Sequence, residues 1–431
     1  MAVDLLTPIL APQLRGIHFF NGRLLSGEDM TDEQNAHRAV HELLGHSIGD
    51  GIVSGLHVAQ ADFGSTAETP VLHVGHGVAI NRRGETLFLP DDVEVRLVRP
   101  PSSAPRVTGE AVFHTCTPPR NVPPFVDAAV YLLTIASSRT GEGNAGLSAL
   151  PARCSMRWIV DSVEFRLINL NVSADLQNAP DRLRNRVAYA CFGSGARMDY
   201  ATNPFGNTRT PPSLIEALRG ADLTDCDVPL ALVQWKTSGL AYVDVWSARR
   251  RCASGANAAN AMAFSARSTP VAEAMFQQFA EHIVELQHAL QDPEAAEGRR
   301  YFRYLPPAGF LPVSSGAVSR FEHTTFFAGK TTSVPWYIEA SDVEALLREA
   351  VHYPPVDLED PEFVWIYVVR ENRAATIFGR DLDVSEALGP ELSARVAKAG
   401  VPHYVLFANA NVPFFGRSRF DRSHFDFANF T

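Results

Sequence analysis

The sequence predicts an α+β fold with several β-rich modules and a few helices, including an N-terminal entry helix and a long central helix. Short segments of alternating apolar and polar residues, separated by turn residues, recur along the chain and are typical of strands. Two longer segments carry apolar residues at helical spacing instead. The chain has 431 residues, of which 46% are hydrophobic and 20% charged, and this indicates two or three folded domains.

The first expected module, residues 1–100, is an N-terminal helix followed by a β-meander. An asparagine–glycine turn precedes Ser26, which we expect to cap the helix, with Asp29 in the first turn, where negative charge suits the helix dipole. The segment IVSGLHVA is expected to form one strand. The segment VLHVGHGVAINRRGETLFLPDDVEVRLV predicts a hairpin or meander around a turn at residues 81–84.

The second expected module, residues 101–265, is β-rich and begins with a proline-rich linker. A short helix is expected near residues 212–218. The segments VPLALVQW and LAYVDVW flank a serine–glycine turn, which favours two consecutive strands. The strands expected in this module are AAVYLLTIA, WIVDSVEFRLINL, VPLALVQW and LAYVDVW.

The third expected module, residues 266–431, contains the long central helix and an α+β region with a phenylalanine-rich tail. Apolar residues at helical spacing over residues 270–291 predict a helix of about six turns. A second helix is expected at residues 341–350, with Ser341 as N-cap and Glu344 completing a capping box. The segments FVWIYVV and HYVLFANA predict strands, whereas the prolines of FRYLPPAGFLPV exclude a helix there.

The composition and net charge argue against several classes of function. The net charge of −10 argues against nucleic-acid binding and against an anionic membrane surface, because both need clustered lysine and arginine. No apolar run has the length of a membrane span, and the N-terminus lacks the pattern of a signal peptide. Five cysteines without a C-x-x-C pair favour reduced, mostly buried thiols. We therefore expect a protein made in the cytoplasm.

One histidine motif resembles a zinc protease signature and fails on spacing. In HELLGH the histidines are His41 and His46, five residues apart, which places them about 140° apart on a helix. The pair with the correct spacing, His37 and His41, has Arg38 where the base should stand. The sequence therefore predicts an ordinary helix surface at this motif.

The other candidate catalytic or metal-binding residues also predict ordinary structural roles. His73 and His76 are three apart on an expected strand, so they face opposite sides, and no carboxylate is expected to join them. The carboxylate-rich run at residues 357–362 is framed by prolines and predicts a surface loop. No phosphate-binding or nucleophile-elbow motif occurs. We therefore predict a protein that is not an enzyme, with no cofactor and no metal.

The aromatic tail is one candidate interface. Six phenylalanines within its last residues imply that the tail is held in place, either on its own domain or in a groove of a neighbour. The run of three arginines that includes Arg250 is a second candidate for contact with a partner. The candidate interface residues are Phe20, Arg23, Arg250, Phe414, Phe415, Phe420, Phe425, Phe427 and Phe430.

Near the start of the chain stand the segments HFFNGRLLSGEDMTDEQNAHR, IVSGLHV and HVGHGVAINRRGETLFL, and near its end stand FRYLPPAGFLPV, PPVDL and YVLFA. Together they resemble a poorly characterised bacterial family whose members look like parts of phage tails and contractile injection particles. FRYLPPAGFLPV, PPVDL and YVLFA are similar to its C-terminal half, and GHSIGDG stands where the family has a stretch rich in tryptophan and asparagine. The N-terminal positions that carry the resemblance are Phe20, Gly22, Leu24, Leu25, Asp29, Glu33, Gln34, His37, Arg38, Gly51, Val53, Gly55, Leu56, Val58, Gly77, Ala79, Ile80 and Gly84.

The resemblance implies a non-catalytic structural or adaptor component of an extracellular contractile injection system or phage tail-like particle. Such a part sits at the baseplate, cap or plug, fibre or tube lumen. It contacts tube, baseplate, spike or cap proteins, and we expect a trimer or higher ring. Its particle is assembled in the cytoplasm and then released.

Two alternatives from other classes stay open. A module that binds glycan or cell-envelope polymer would use Trp336, Tyr337 and Trp365. An unrecognised hydrolase would use residues from the later part of the chain, namely His323, Glu322 and Asp357.

Overall fold

The computed structural model has an α+β fold, as the sequence predicts, with several small sheets and a few helices. It describes residues 14–67, 69–97, 129–144, 156–193, 213–220, 222–252, 269–313, 320–369 and 403–416. None of the helices in these ranges is long and apolar enough to cross a membrane.

The described helices vary widely in length, from single turns to the two long helices that the sequence predicts. They are α1 (Gly27–Ile48), α2 (Ala174–Gln177), α3 (Leu183–Phe192), α4 (Leu214–Ala217), α5 (Thr269–Ala289), α6 (Gly298–Tyr301), α7 (His323–Phe326) and α8 (Ala340–Ala350).

Most of the described strands are short. They are β1 (Gly51–Gly55), β2 (Val58–Gln60), β3 (Val71–Val74), β4 (Gly77–Ile80), β5 (Thr86–Leu89), β6 (Val93–Arg96), β7 (Ala129–Asn144), β8 (Met156–Asn169), β9 (Asp227–Lys236), β10 (Gly239–Asp244), β11 (Tyr304–Leu305), β12 (Ala308–Val313), β13 (Trp336–Ile338), β14 (Val356–Asp357), β15 (Val364–Val369) and β16 (His403–Asn409).

The chain forms two compact units, and each of them is discontinuous in sequence. The expected module boundaries after residues 100 and 265 lie outside the described residues, so the division into three modules stays a prediction. The first unit comprises Met1–Asn169, Leu218–Val243 and Arg249–Ala259, and the second comprises Leu170–Ala217, Asp244–Ala248 and Asn260–Thr431.

The first unit contains three antiparallel sheets, with strand orders β1-β4-β5, β2-β3-β6 and β10-β9-β7-β8. The hairpin of β4 and β5 around the turn at residues 81–84 is confirmed. The prediction of one strand over IVSGLHVA is wrong, because Gly55 and Leu56 have φ values of 60° and 54°. This left-handed step ends β1, and the chain continues as β2 in a different sheet.

The second unit is built on a four-stranded sheet of order β12-β16-β15-β13, with β11 and β14 as a separate pair. Strand β13 runs parallel to β15, and the other pairs in the larger sheet are antiparallel. Helix α5 confirms the predicted long helix. Phe279 and Ile283 of this helix lie in a core cluster with Phe302 and Phe407.

Three other expectations need correction. Helix α8 begins after Glu339, which makes no side-chain capping hydrogen bond, so Ser341 lies inside the helix instead of capping it. Helix α3 lies in a segment for which the sequence predicted no helix. Cys191 and Cys252 are free thiols, as expected, but Cys226 is disulfide-bonded.

Candidate protein-binding surface

The N-terminus of α1 is fixed by a capping box and by an arginine from the preceding loop. The backbone N–H of Asp29 donates to Ser26 Oγ (3.1 Å), and the backbone N–H of Ser26 donates to Asp29 Oδ2 (2.9 Å). Arg23 donates to Asp29 (2.7 Å) and to the carbonyl of His18 (2.9 Å). The pKa of Asp29 lies below its usual value, mainly because the backbone N–H of Ser26 donates to its carboxylate and secondly because the Ser26 hydroxyl does so.

The loop before the helix is held at a second point. The backbone N–H of Ile17 donates to Glu33 Oε2 at 2.7 Å, and Glu33 also pairs with His37 one turn later at 3.2 Å. Ala36 is buried on the same stretch of helix. The chain from residue 16 onward therefore covers part of the N-terminal half of α1.

The C-terminal half of α1 rests on the β4–β5 turn through two glycines. A β-carbon built at Gly45 would overlap the carbonyl of Gly84, and one built at Gly84 would overlap the carbonyl of Glu42. Gly84 also has a φ of 81°, which side chains other than glycine rarely adopt. The two backbones approach so closely that neither position accepts a side chain.

One face of the C-terminal half of α1 exposes a row of apolar side chains. Only Ala36 and Gly45 are buried among its 22 residues. Val40, Leu43, Leu44 and Ile48 follow the i, i+3, i+4, i+8 spacing of one helix face, and Leu44 is 56% exposed. At 3.6 residues per turn, Gly45 lies roughly 125° around the helix from the centre of this row. The contact with the β4–β5 turn therefore leaves the row free.

The loop before the helix also exposes apolar side chains. Leu24 is the extreme case, with 93% of its surface exposed. Apolar side chains exposed together in this way mark sites of interaction in soluble proteins. We call the set the entry-helix surface, and its residues are Phe19, Phe20, Leu24, Leu25, Met30, Val40, Leu43, Leu44 and Ile48.

The predicted interface residues of the first unit have different environments. Phe20 lies on the entry-helix surface, whereas Arg23 is engaged in fixing the loop. Arg250 donates to the carbonyl of Arg249 (2.7 Å), and its own carbonyl accepts from the backbone N–H of Ile52 (2.8 Å). Arg249 is buried and donates to the carbonyls of Gly55 and Leu56. This arginine run thus supports the turn between β1 and β2, and a partner contact at Arg250 stays a prediction.

The tail phenylalanines that the structure describes pack on their own unit. The ring of Phe414 lies 5.3 Å from that of Trp336 and 5.1 Å from that of Trp365. Phe415 packs on the core cluster of the larger sheet, and its backbone N–H donates to Tyr367 Oη (3.4 Å). The other tail candidates, Phe420, Phe425, Phe427 and Phe430, lie outside the described residues.

The two tryptophans of the glycan alternative lie close to each other, whereas Tyr337 follows Trp336 on β13 and points to the opposite face of the sheet. Trp336, Tyr337 and Trp365 are each partly exposed, and Phe414 lies between the two tryptophans. The indole N–H of Trp365 is used internally, because it donates to the carbonyl of Ala410 at 3.3 Å. The cluster offers ring faces and edges to a ligand, but this indole N–H is already engaged.

The histidines do not form a metal centre in the described ranges. Both histidines of HELLGH lie on α1. The expectation that no carboxylate joins His73 and His76 is wrong, because Asp92 contacts His76 at 2.7 Å and His73 at 3.7 Å. The hydrogen bonds from His76 hold the pKa of Asp92 below its usual value. Across the described residues, no group of three or more metal-ligating side chains is arranged to hold an ion.

The residues of the hydrolase alternative belong to two separate contacts. His323 pairs with Glu322 at 3.0 Å at the start of α7. Asp357 pairs with Arg303 at 3.7 Å, and it accepts a hydrogen bond from the backbone N–H of Glu359 at 2.9 Å. The described geometry therefore gives no catalytic arrangement of His323 with Asp357.

The most perturbed ionisable groups form a buried cluster in the second unit, which the sequence did not predict. Asp244 accepts from Arg184 Nε and from Gln278 Nε2, both at 3.0 Å, and from the backbone N–H of Ser247. Arg184 also pairs with Glu285. This network connects α3, α5 and the end of β10, and the Arg184 guanidinium compensates the buried Asp244 carboxylate.

His282 lies in the same buried cluster. Its ring is 4.7 Å from the ring of Phe302. Burial and, secondarily, the Arg184 guanidinium lower the pKa of His282 to about 3. The side chain is therefore neutral near neutral pH. The sequence does carry a signal for this buried cluster: Gln278, His282 and Glu285 have i, i+4, i+7 spacing, which places three polar side chains on one face of an otherwise apolar helix.

Comparisons with known proteins add no further constraint. Neither the protein-family models nor the curated proteins contain a match to this chain.

Proposed function

We propose that this chain is a non-catalytic structural or adaptor component of a contractile injection system or phage tail-like particle, docked through the entry-helix surface. The supporting observation is the 22-residue helix α1. A capping box fixes its N-terminus, Gly45 packs against the backbone of Gly84, and one face of its C-terminal half exposes apolar side chains. Full burial of one large aliphatic side chain contributes about 1.5–3 kcal/mol. A partner that covers Val40, Leu43, Leu44 and Ile48 therefore gains substantial binding free energy.

The sequence resemblance supports the particle class within this proposal. The positions that carry it include Phe20, Leu24 and Leu25, which belong to the entry-helix surface, and Gly84, which seats the helix. The proposed partners are tube, baseplate, spike or cap proteins of the same particle, and the proposed place of assembly is the cytoplasm before release of the particle.

The test is co-purification with particles from the native host. The double variant Leu43→Glu/Leu44→Glu places charge on the proposed contact, and Ile159→Glu is the matched control at a 57% exposed position on β8. We expect the wild-type chain and the control in purified particles, and we expect the double variant to be absent. A double variant retained at the wild-type level would place docking elsewhere, and a wild-type chain absent from particles would refute the particle class.

The aromatic cluster favours one alternative, a glycan-binding module. Trp336, Trp365 and Phe414 present adjoining rings on the second unit, with Phe414 47% exposed. A pull-down with peptidoglycan and with bacterial surface polysaccharide tests it. Retention of the wild-type chain and loss on Trp336→Ala would support glycan binding, and no retention would remove it.

A further inference from the structure

The buried polar cluster of the second unit directs its hydrogen-bond donors at carboxylates. Arg184 Nε and Gln278 Nε2 both donate to Asp244 Oδ2, each at 3.0 Å. The indole N–H of Trp246 donates to Glu281 Oε1 at 2.7 Å. Carboxylates are the stronger acceptors in a protein interior, because hydrogen bonds to a charged group gain more than those to a neutral one. The neutral acceptors of the same cluster therefore compete poorly for these donors.

Two neutral polar atoms of the cluster have no protein partner. Gln278 Oε1 and His282 Nδ1 are both buried, and neither forms a hydrogen bond with any of the residues that the structure describes. The two residues are only 1% and 8% exposed, so bulk water does not solvate them. In native proteins, buried polar atoms of this kind are almost always hydrogen-bonded to the protein or to ordered water.

The spacing of these two atoms suits one small molecule. Gln278 and His282 are four residues apart on α5, so their β-carbons lie about 5–6 Å from each other on the same face of the helix. The ring of Phe302 lies 4.7 Å from the ring of His282 and forms an apolar wall beside it. A single water molecule can bridge side chains that are one helical turn apart, because it forms hydrogen bonds in several directions.

The neighbouring charges favour a neutral ligand at this position. Burial and then the Arg184 guanidinium lower the pKa of His282, and a bound cation would meet the same two penalties. Asp244 attracts positive charge, but the Arg184 guanidinium already pairs with it at 3.0 Å. An anion is excluded by Gln278 Oε1, which accepts hydrogen bonds and cannot donate one. Water has both the required size and the required lack of charge.

We propose that the second unit binds one enclosed water molecule, which donates a hydrogen bond to Gln278 Oε1 and forms a second one with His282 Nδ1. The water connects two successive turns of α5 on the face that contacts Asp244. It thereby completes the hydrogen bonding of a cluster whose protein donors are directed at carboxylates. The site is separate from the entry-helix surface, and its test does not depend on particle binding.

The first experiment counts long-lived internal water molecules in the purified full-length chain by magnetic relaxation dispersion of water deuterons. A chain of 431 residues is expected to hold about 16 buried waters, so the difference between two chains is the informative quantity. We expect His282→Leu and Gln278→Met each to hold one fewer than the wild-type chain, because a buried water needs at least two polar partners.

The matched control is His288→Leu, at an exposed position on the same helix, which should hold the same number of long-lived waters as the wild-type chain. Circular dichroism checks that the three variants are folded. An unchanged number of waters in a folded His282→Leu or Gln278→Met chain would overturn the proposal. An equal loss in His288→Leu would also overturn it.

The second experiment uses the wild-type chain and does not depend on the stability of a variant. A crystal structure at a resolution that shows ordered water should contain an isolated electron-density peak within about 2.5–3.2 Å of both Gln278 Oε1 and His282 Nδ1. A direct hydrogen bond between the two side chains, or apolar atoms packed at that position, would overturn the proposal. Neither result bears on docking through the entry-helix surface, so the proposed function is tested separately.

Discussion

Helices α1 and α5 are nearly equal in length, with 22 and 21 residues, and they differ in what covers their apolar faces. In α5 the side chains of Met275, Phe279 and Ile283 are buried, and the ring of Phe279 contacts those of Phe302 and Phe407 at 5.6 and 5.5 Å. In α1 the apolar row remains exposed. Helical spacing of apolar residues thus indicates a face to be covered, but it does not say whether the chain itself covers that face.

The largest expected difference between the two helices is in the cost of shortening an apolar side chain. We expect Phe279→Ala to lower the free energy of unfolding by about 4 kcal/mol, because it opens a cavity in a closed core. Leu44→Ala should change it by less than about 0.5 kcal/mol, because the side chain is already in water. Urea titrations followed by circular dichroism measure both. Equal losses would show that α1 is packed within the chain.

The second prediction concerns how the free energy of unfolding depends on pH through His282, which lies on α5. Its His282 has a pKa of about 3 in the folded chain, against about 6.5 for an exposed histidine. Between these values the unfolded chain binds a proton that the folded chain does not. The free energy of unfolding should therefore fall as the pH is lowered below 6.5, by at most about 1.4 kcal/mol per pH unit.

Comparison with His282→Leu isolates this effect. The neighbouring Glu281, whose pKa is raised by burial, changes the free energy of unfolding in the opposite direction as the pH falls. It does so in both the wild-type chain and the variant, so the comparison cancels it. Urea titrations between pH 7 and pH 5 should show a steeper fall for the wild-type chain than for the variant. Parallel curves would mean that His282 titrates normally in the folded chain.

The third prediction concerns the backbone contact between α1 and the β4–β5 turn. Gly45→Ala inserts a methyl group into the backbone contact with Gly84, and we expect a loss of about 1–2 kcal/mol of stability, as for other overpacked sites. Ala39→Gly, a change elsewhere on the same helix, is the control for helix propensity, which costs about 1 kcal/mol without a clash. Hydrogen exchange should show faster exchange across both α1 and the β4–β5 turn in Gly45→Ala. Faster exchange in α1 alone would contradict the contact.

The smallest expected effect is at the cap of α1. Ser26→Ala removes the side-chain acceptor for the Asp29 N–H, and we expect a loss of about 1 kcal/mol, the usual cost of removing an N-cap. Ser47→Ala is the matched control, because Ser47 is exposed and its hydroxyl donates to the carbonyl of Leu44 in the last turns of the same helix. Thermal unfolding followed by circular dichroism compares the two. A loss in Ser47→Ala equal to that in Ser26→Ala would contradict the capping role.

Local patterns predicted the elements well where the deciding contacts are local. Ser26 caps α1 through a residue three positions away, and the β4–β5 hairpin turns within four residues, so short windows of sequence contain the cause. The same reasoning failed at Ser341, because the helix begins two residues earlier than a cap at Ser341 predicts, with Glu339 in the N-cap position. It also failed at Leu56, whose left-handed backbone lies in an apparently regular alternation.

The parts that the sequence did not predict depend on contacts between distant residues. Asp92 joins His73 and His76 because β3 pairs with β6, a register that no single segment contains. The buried cluster at Asp244 requires α3 and α5 together, 60 and 34 residues away along the chain. For the candidate surface, the sequence indicated Phe20, but the exposure of Val40, Leu43 and Ile48 follows from where Gly45 rests.

The most direct test of the central claim compares hydrogen exchange in the free chain with exchange in the chain assembled in particles. The account predicts that backbone amides of α1 become more protected on assembly, while those of α5, whose apolar face is already covered, stay unchanged. Protection that appears elsewhere, with α1 exchanging as fast in the particle as in the free chain, would contradict the assignment of the entry-helix surface as the docking site.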